Sequence, residues 1–276
     1  MQPISIAGPD AAALAGDLAD RLDGRVAVVE RTNEATDGGV SAAATARTDV
    51  GDGDTRIALD ADGTWTGTGT VDGFDALLDG LAPDHDYLVA IGESRLRVPV
   101  VLVGDDMAGR DDVPGTVLAS GDSPDEIDLT ELIATLDGAE PWITRETLVR
   151  RVEAAADADR AGAIATFTGR VRVRDAPDDD ETTHLAFEKY DGVAAERMSA
   201  IAAELSERDG VFDVRMHHRT GVIEAGEDIV FVVVLAGHRR EAFRTVEDGI
   251  DRLKDEVPIF KKETTEAEEF WVHHRD

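Results

Sequence analysis

Short, wholly apolar runs alternate with amphipathic segments through the first half of the chain. ISIAG (4–8), an Ala/Leu/Asp stretch (10–23) and RVAVVE (25–30) predict strand, helix and strand, the rhythm of a parallel sheet. TRIALDADGTWTG (55–67) predicts a hairpin turning at Asp62-Gly63, a dipeptide that such turns favour. FDALLDGLA (74–82) predicts a helix. YLVAIGE (87–93) and VPVVLVG (98–104) lack alternation, as strands buried on both faces do, and TVLAS (116–120) adds one more strand. The Gly/Thr/Asp-rich stretch at 34–56 and the polar segments GDDMAGRDDVPG (104–115) and SGDSPDEID (120–128) read as loops.

The pattern changes near 138–142, where LDGAEPW supplies Gly and Pro. This predicts two domains, 1–138 and 139–276. In the second, TRETLVRRVEAAADAD (144–159) is a helix with a Thr/Glu start signal. GAIATFTGRVRVRD (162–175) and TTHLAFEKY (182–190) are strands, and VAAERMSAIAAELSERDG (193–210) is a long amphipathic helix closed by Gly. Residues 212–237 give two or three strands around Ala225-Gly226. REAFRTVEDGIDRLKDEV (240–257) is a helix stopped by Pro258. The expected fold is an α/β first domain on a mainly parallel sheet, followed by an α+β domain on a mainly antiparallel one.

Composition narrows the partners. There are 59 acidic against 28 basic residues, for a formal charge of -31, which argues against nucleic acid or an anionic membrane as partner. The acidic, lysine-poor surface suits a protein kept soluble in very high salt. Cysteine is absent, so disulfides, thiol nucleophiles and thiolate metal sites are excluded. No apolar run approaches the ~20 residues that span a bilayer, and a cytoplasmic protein is expected. No metal site or cofactor is expected.

Against that background the chain has only four lysines, and Lys254, Lys261 and Lys262 fall within nine residues. Unlike arginine, lysine can be tuned to exchange a proton within a site. Arg170, Arg172 and Arg174 alternate at the end of a predicted strand, so they would share one face. His238-Arg239 follows the apolar run FVVVLAG. Should these groups converge, an anion-binding pocket with a proton-exchanging lysine results. The bland alternative is a solvated arginine face, a structural histidine and a lysine placed by the helix dipole.

GAIATFTGRVR (162–172), HLAFEKYDGVA (184–194), HHRTGVIEAGEDIVFVVVLAGHRREAF (217–243) and DRLKDEVPIFKKE (251–263), followed by FWV (270–272), closely resemble the large, catalytic subunit of molybdopterin synthase over about 145–274. The composite of GxVR, HRxxAF and LKxxxPxxKKE is specific. Val193 and Phe260 stand where many relatives carry Met and Trp, and both stay apolar. The resemblance implies sulfur transfer to cyclic pyranopterin monophosphate from a small ubiquitin-like subunit with a C-terminal Gly-Gly thiocarboxylate. It further implies a homodimer of large subunits flanked by two small ones. By position Lys254 and Lys261 are the catalytic lysines, while Arg172, His238 and Arg239 hold the substrate, with an arginine from a dimer mate. Lys262 matches a position that is simply basic.

The first half resembles the adapter protein of molybdopterin-guanine dinucleotide biosynthesis, a P-loop fold. However, GPDAAALAGD (8–17) lacks the lysine of G-x-x-x-x-G-K-[ST], so a degenerate domain without a competent GTP site is expected. The alternatives are a non-catalytic docking or carrier protein of the same pathway, or a nucleotide-binding first domain.

Overall fold

A computed structural model describes residues 1–30, 55–92, 97–104, 113–174, 176–177, 180–189, 192–265 and 269–272. Most of the loop expected at 34–56 and most of the segment 104–115 lie outside the described residues. The chain divides into two compact units, Met1–Trp142 and Ile143–Asp276.

The first unit is a five-stranded, all-parallel sheet in the order β2-β5-β1-β6-β7, built from β1 (Gln2–Ala7), β2 (Val26–Glu30), β5 (Tyr87–Ile91), β6 (Val100–Val103) and β7 (Val117–Gly121). Helices cover both faces, which is why its strands read as unbroken apolar runs. α1 (Ala11–Ala19) and α3 (Leu129–Asp137) pack with Ile4, Ile6 and Val89, while α2 (Phe74–Leu81) packs with Leu88 and Ala90. The predicted hairpin forms between β3 (Arg56–Leu59) and β4 (Trp65–Thr68), with Gly63 at φ +89° in its turn.

The unit runs to Trp142, the far end of the 138–142 stretch. Trp142 packs with Leu78 and Leu88, its indole donates to Asp79 at 2.8 Å, and its amide donates to the carbonyl of Met1 at 2.8 Å. A side chain with this much apolar area is held by the core it reaches, and the Gly-Pro punctuation before it does not set the boundary.

The connection from β1 to α1 is only Gly8-Pro9-Asp10. Gly8 sits at φ +128°, and a Cβ there would lie 1.7 Å from the Val103 carbonyl oxygen. Left-handed backbone and backbone contact both demand glycine. Gly8→Ala is expected to destabilise this unit by about 3 kcal/mol or more, read as a lower urea midpoint.

The second unit is antiparallel throughout its described pairs. A three-stranded sheet in the order β10-β12-β8 comprises β8 (Ala163–Arg170), β10 (Val211–His218) and β12 (Asp228–Ala236). β12 is its buried spine. Val230, Val232, Val234 and Ala236 face α5 (Val193–Ser206) and α6 (Arg239–Glu256), while Phe231, Val233 and Leu235 face α4 (Arg145–Glu153). The capping box of α4 pairs Thr144 with Thr147 instead of a glutamate, while Glu146 pairs with Arg145. α5 and α6 are also tied by polar contacts: Arg252 reaches Glu204 at 2.6 Å, and Arg197 pairs with Glu256.

A second, four-stranded sheet runs β11-β9-β13-β14, from β9 (Thr182–Lys189), β11 (Gly221–Glu224), β13 (Ile259–Thr265) and β14 (Glu269–Val272). The lysine segment, to which the sequence pattern assigned no element, is thus a strand pairing on both sides. Between the sheets Val171, Leu185, Phe187 and Ile223 form a small separate core.

Candidate functional site

A cavity of about 1020 Å³ opens within the second unit, lined from β8, β9, β10, β12, α6 and β13. Lys254, Lys261 and Arg172 all line it, with Arg170, Asp255 and His218. Among the described residues, four cations and one carboxylate line it.

Each position has a local cause. Lys254 lies in the last turn of α6, where a cation complements the helix dipole. The helix closes with the Val257 amide on the Leu253 carbonyl, Pro258 prevents its continuation, and β13 begins at Ile259. This change from helix to strand lets the two lysines approach one pocket from different elements. On β13, Lys261 stands opposite Phe187 of β9, a direct pair whose side chains share a face. Lys262 stands opposite Ala186, so strand alternation turns it to the other face, and it does not line the cavity.

The arginine series departs from expectation. β8 ends at Arg170, so the three arginines do not share one strand face. Val171 beyond it is buried in the small core. Its amide donates to the Glu227 carbonyl at 2.9 Å, and its carbonyl accepts from the Gly226 amide at 2.9 Å. This anchor leaves Arg170 and Arg172 both lining the cavity. Arg170 is partly neutralised by Asp228, at 3.0 Å. Arg174 pairs with Glu181 and does not line the cavity.

His238 and Arg239 lie elsewhere. His238 is the N-cap residue of α6 and Arg239 its first residue. Fifteen residues of helix separate Arg239 from Lys254, about 22 Å of axial rise at 1.5 Å per residue. Neither residue lines the cavity. Nearby, Phe243 is 65% exposed, a large apolar side chain turned to solvent.

Two titratable lining residues carried no sequence assignment. Asp255 is adjacent to Lys254. His218 is a polar residue at an inward, buried position of β10, the one signal that could have marked it. Among the described residues no group of three or more His, Asp or Glu side chains is arranged to hold a metal, and no helix is long and apolar enough to cross a membrane.

Residues 143–256 match the family described as MoaE protein. A protein of Haloferax volcanii named probable molybdopterin synthase is 52% identical over 282 residues, covering the whole of both chains. The molybdopterin synthase catalytic subunit of Pyrococcus abyssi is 39% identical over 111 residues, 40% of this chain and 74% of its own. The crystal structure of molybdopterin synthase from Staphylococcus aureus is 31% identical and covers 49% of this chain and 93% of that chain, with a TM-score of 0.43. At 52% identity to the Haloferax protein over its whole length, the chain belongs to the molybdopterin synthase family, with the MoaE domain in its second unit.

Proposed function

We propose that this chain is a molybdopterin synthase catalytic subunit that moves sulfur from a small ubiquitin-like carrier onto cyclic pyranopterin monophosphate, building the dithiolene of molybdopterin. The observation that carries this reading is the cavity itself. In a chain of formal charge -31, four cations and one carboxylate among the described residues converge on one pocket. Both reactants are anions, one a thiocarboxylate and the other a phosphate. The protein's overall charge repels them, so a local cationic pocket is needed to collect them.

Arg172 would hold the phosphate through paired N–H donors. Lys254 would exchange protons as sulfur adds and the cyclic phosphate opens. Lys261 would stabilise anionic intermediates or the carrier's carboxylate end. The carrier's Gly-Gly tail would thread into the pocket, since glycines alone leave room for a backbone there. Tandem affinity purification of the chain from its own cells is expected to recover a small Gly-Gly-ended protein. A tail truncated by two glycines should fail to bind, and equal binding of the truncated protein would contradict the reading.

His238 and Arg239 fit this site only through a second copy. A homodimer flanked by two carriers, with the start of α6 from one subunit reaching the pocket of the other, would complete the anion site. Phe243 offers apolar surface at that end of the helix.

The first unit is read as a degenerate adapter domain, a scaffold or docking module of P-loop ancestry acting in the cytoplasm. A Walker loop needs eight residues and a lysine. The connection from β1 to α1 is three residues long, a Cβ at Gly8 would meet the Val103 carbonyl oxygen, and GPDAAALAGD carries no lysine, which supports a degenerate loop. Equilibrium titration with GTP and Mg²⁺ is expected to give no saturable binding below millimolar concentration. Micromolar affinity would overturn this part of the reading.

A further inference from the structure

Arg170 lines the cavity two residues before Arg172, across the buried Val171. Its guanidinium is already engaged on one side. Nε lies 3.0 Å from a carboxylate oxygen of Asp228, and Nη2 donates to the carbonyl of Gly226. Asp228 stands opposite Arg170 in the β8–β12 ladder but does not line the cavity. The arginine is therefore shared between a carboxylate outside the pocket and any anion that enters it.

Backbone contacts fix this pair in place. Val171 and the turn before β12 exchange two hydrogen bonds of 2.9 Å, and Arg219 donates to the Asp228 carbonyl at 2.8 Å. Energetically the pair is loose. Its side chains are 65% and 40% exposed, and ion pairs so open to water contribute little to stability. A counterion that adds little to the fold still changes the field in the pocket beside it. Charge along the reaction gives that field a role. Opening a cyclic phosphodiester to a monoester adds a second negative charge above pH ~6, and the two transferred sulfurs add thiolate charge. Uncompensated cations would hold such a product more tightly than the precursor, and slow release limits turnover. A carboxylate fixed beside one of them opposes every anionic ligand, and the most highly charged ligand most.

We propose that Arg170 is a further anion contact of the pocket and that Asp228 is its built-in counterion. Asp228 is a positioning residue: it holds Arg170 at the rim and moderates the pocket's grip on the more highly charged product. The role in product release rests on the reading of the reaction as sulfur transfer onto a cyclic phosphate. The charge dependence of binding does not, and simple phosphates measure it separately.

The test uses the full chain at the lowest salt that keeps it folded, at pH ~8, where methyl phosphate is a dianion. Dimethyl phosphate serves as the monoanion, and affinities come from phosphorus NMR titration. Asp228→Asn keeps an acceptor for Nε and removes the charge. It is expected to strengthen methyl phosphate about threefold, the scale of one partly exposed charge pair, and dimethyl phosphate about 1.7-fold, since the monoanion feels half the effect. Arg170→Ala should weaken methyl phosphate about threefold or more. Asp213→Asn removes a carboxylate that pairs with Arg215 at 2.9 Å away from the cavity, and should leave both affinities at the wild-type value. Unchanged or weaker binding in Asp228→Asn overturns the proposal, because a carboxylate with a merely structural role gives that result. An equal gain in Asp213→Asn also overturns it, since net charge alone would then explain the effect. No saturable binding of either probe by the wild-type chain contradicts Arg170 as an anion contact. With precursor and a thiocarboxylated carrier, Asp228→Asn should show a burst of product followed by turnover about threefold slower than wild type. Turnover without a burst contradicts the role in release. A wild-type chain that binds both phosphates yet leaves the precursor unchanged contradicts the sulfur-transfer reading, and the role in release falls with it.

Discussion

Lys254→Ala is expected to lower conversion of cyclic pyranopterin monophosphate to molybdopterin by at least about a hundredfold, the low end for loss of a positioned proton-transfer group. Lys254 is in the last turn of α6 and lines the cavity with Lys261 and Arg172. Lys254→Arg separates charge from proton chemistry. Arginine keeps the positive charge but does not release its proton in proteins. It should restore precursor binding lost in the alanine variant while leaving turnover at the alanine level. The measurement is product formed in single turnover with a thiocarboxylated carrier supplied, alongside precursor affinity. Full activity in Lys254→Arg would show that Lys254 acts only as a charge. Full activity in Lys254→Ala would remove it from the site. The substitution should cost little stability, because Lys254 is exposed and its dipole interaction contributes only about 0.3–1 kcal/mol.

The second large effect is a rescue. Arg239→Ala and Lys254→Ala are each expected to be nearly inactive as pure proteins. If Arg239 completes the pocket of a partner subunit, mixing the two restores activity. In a mixed dimer one pocket carries both lesions and the other carries neither. After random exchange of equal amounts, half the dimers are mixed, so about a quarter of wild-type activity should return, as an isologous two-fold interface requires. A site built within one subunit gives no rescue, because every pocket then carries one lesion. The distance along α6 motivates the experiment, since Lys254 and Arg239 occupy opposite ends of an 18-residue helix. Subunits must be exchanged under conditions that dissociate the dimer, with size measured before and after mixing.

Particular residues show which parts of this molecule were legible in its sequence. The largely apolar runs at 4–7, 26–29, 87–91 and 100–103 stated plainly that the first sheet is covered on both faces, and α1 and α2 cover it. The hairpin at Asp62-Gly63 was equally clear, because left-handed turn geometry leaves its mark in glycine. The lysine strand was not legible. IFKKETT carries little apolar alternation, and β13 exists because β9 and β14 pair with it on either side, a tertiary cause that no local pattern records. The arginine alternation misled for a related reason. β8 runs along β12 only as far as Arg170 opposite Asp228, and strand periodicity cannot be extended past the last paired residue. Trp142 closes the first unit, and its packing with Leu78 and Leu88 involves residues more than fifty positions away.

The site divides in the same way. Scarcity of lysine drew attention to Lys254 and Lys261, and a helix stop at Pro258 followed by strand pairing brings them to one cavity. Nothing in their spacing announced the rings of Phe187 and His218 that line it with them. Phe187 and His218 belong to β9 and β10, strands in different sheets, so only the packing of one sheet against the other makes them neighbours. His238 and Arg239 precede the lysines closely in sequence, yet a straight helix holds them apart.

The central claim is that the cationic cavity of this chain performs sulfur transfer. The most direct measurement combines the purified full-length chain, a carrier bearing a C-terminal thiocarboxylate and cyclic pyranopterin monophosphate, with the dithiolene product detected after oxidation to a fluorescent pterin. Two carrier thiocarboxylates consumed for each molybdopterin formed, with no product when Lys254→Ala replaces the wild-type chain, is the predicted result. Precursor and thiocarboxylate left unchanged by the wild-type chain would contradict it.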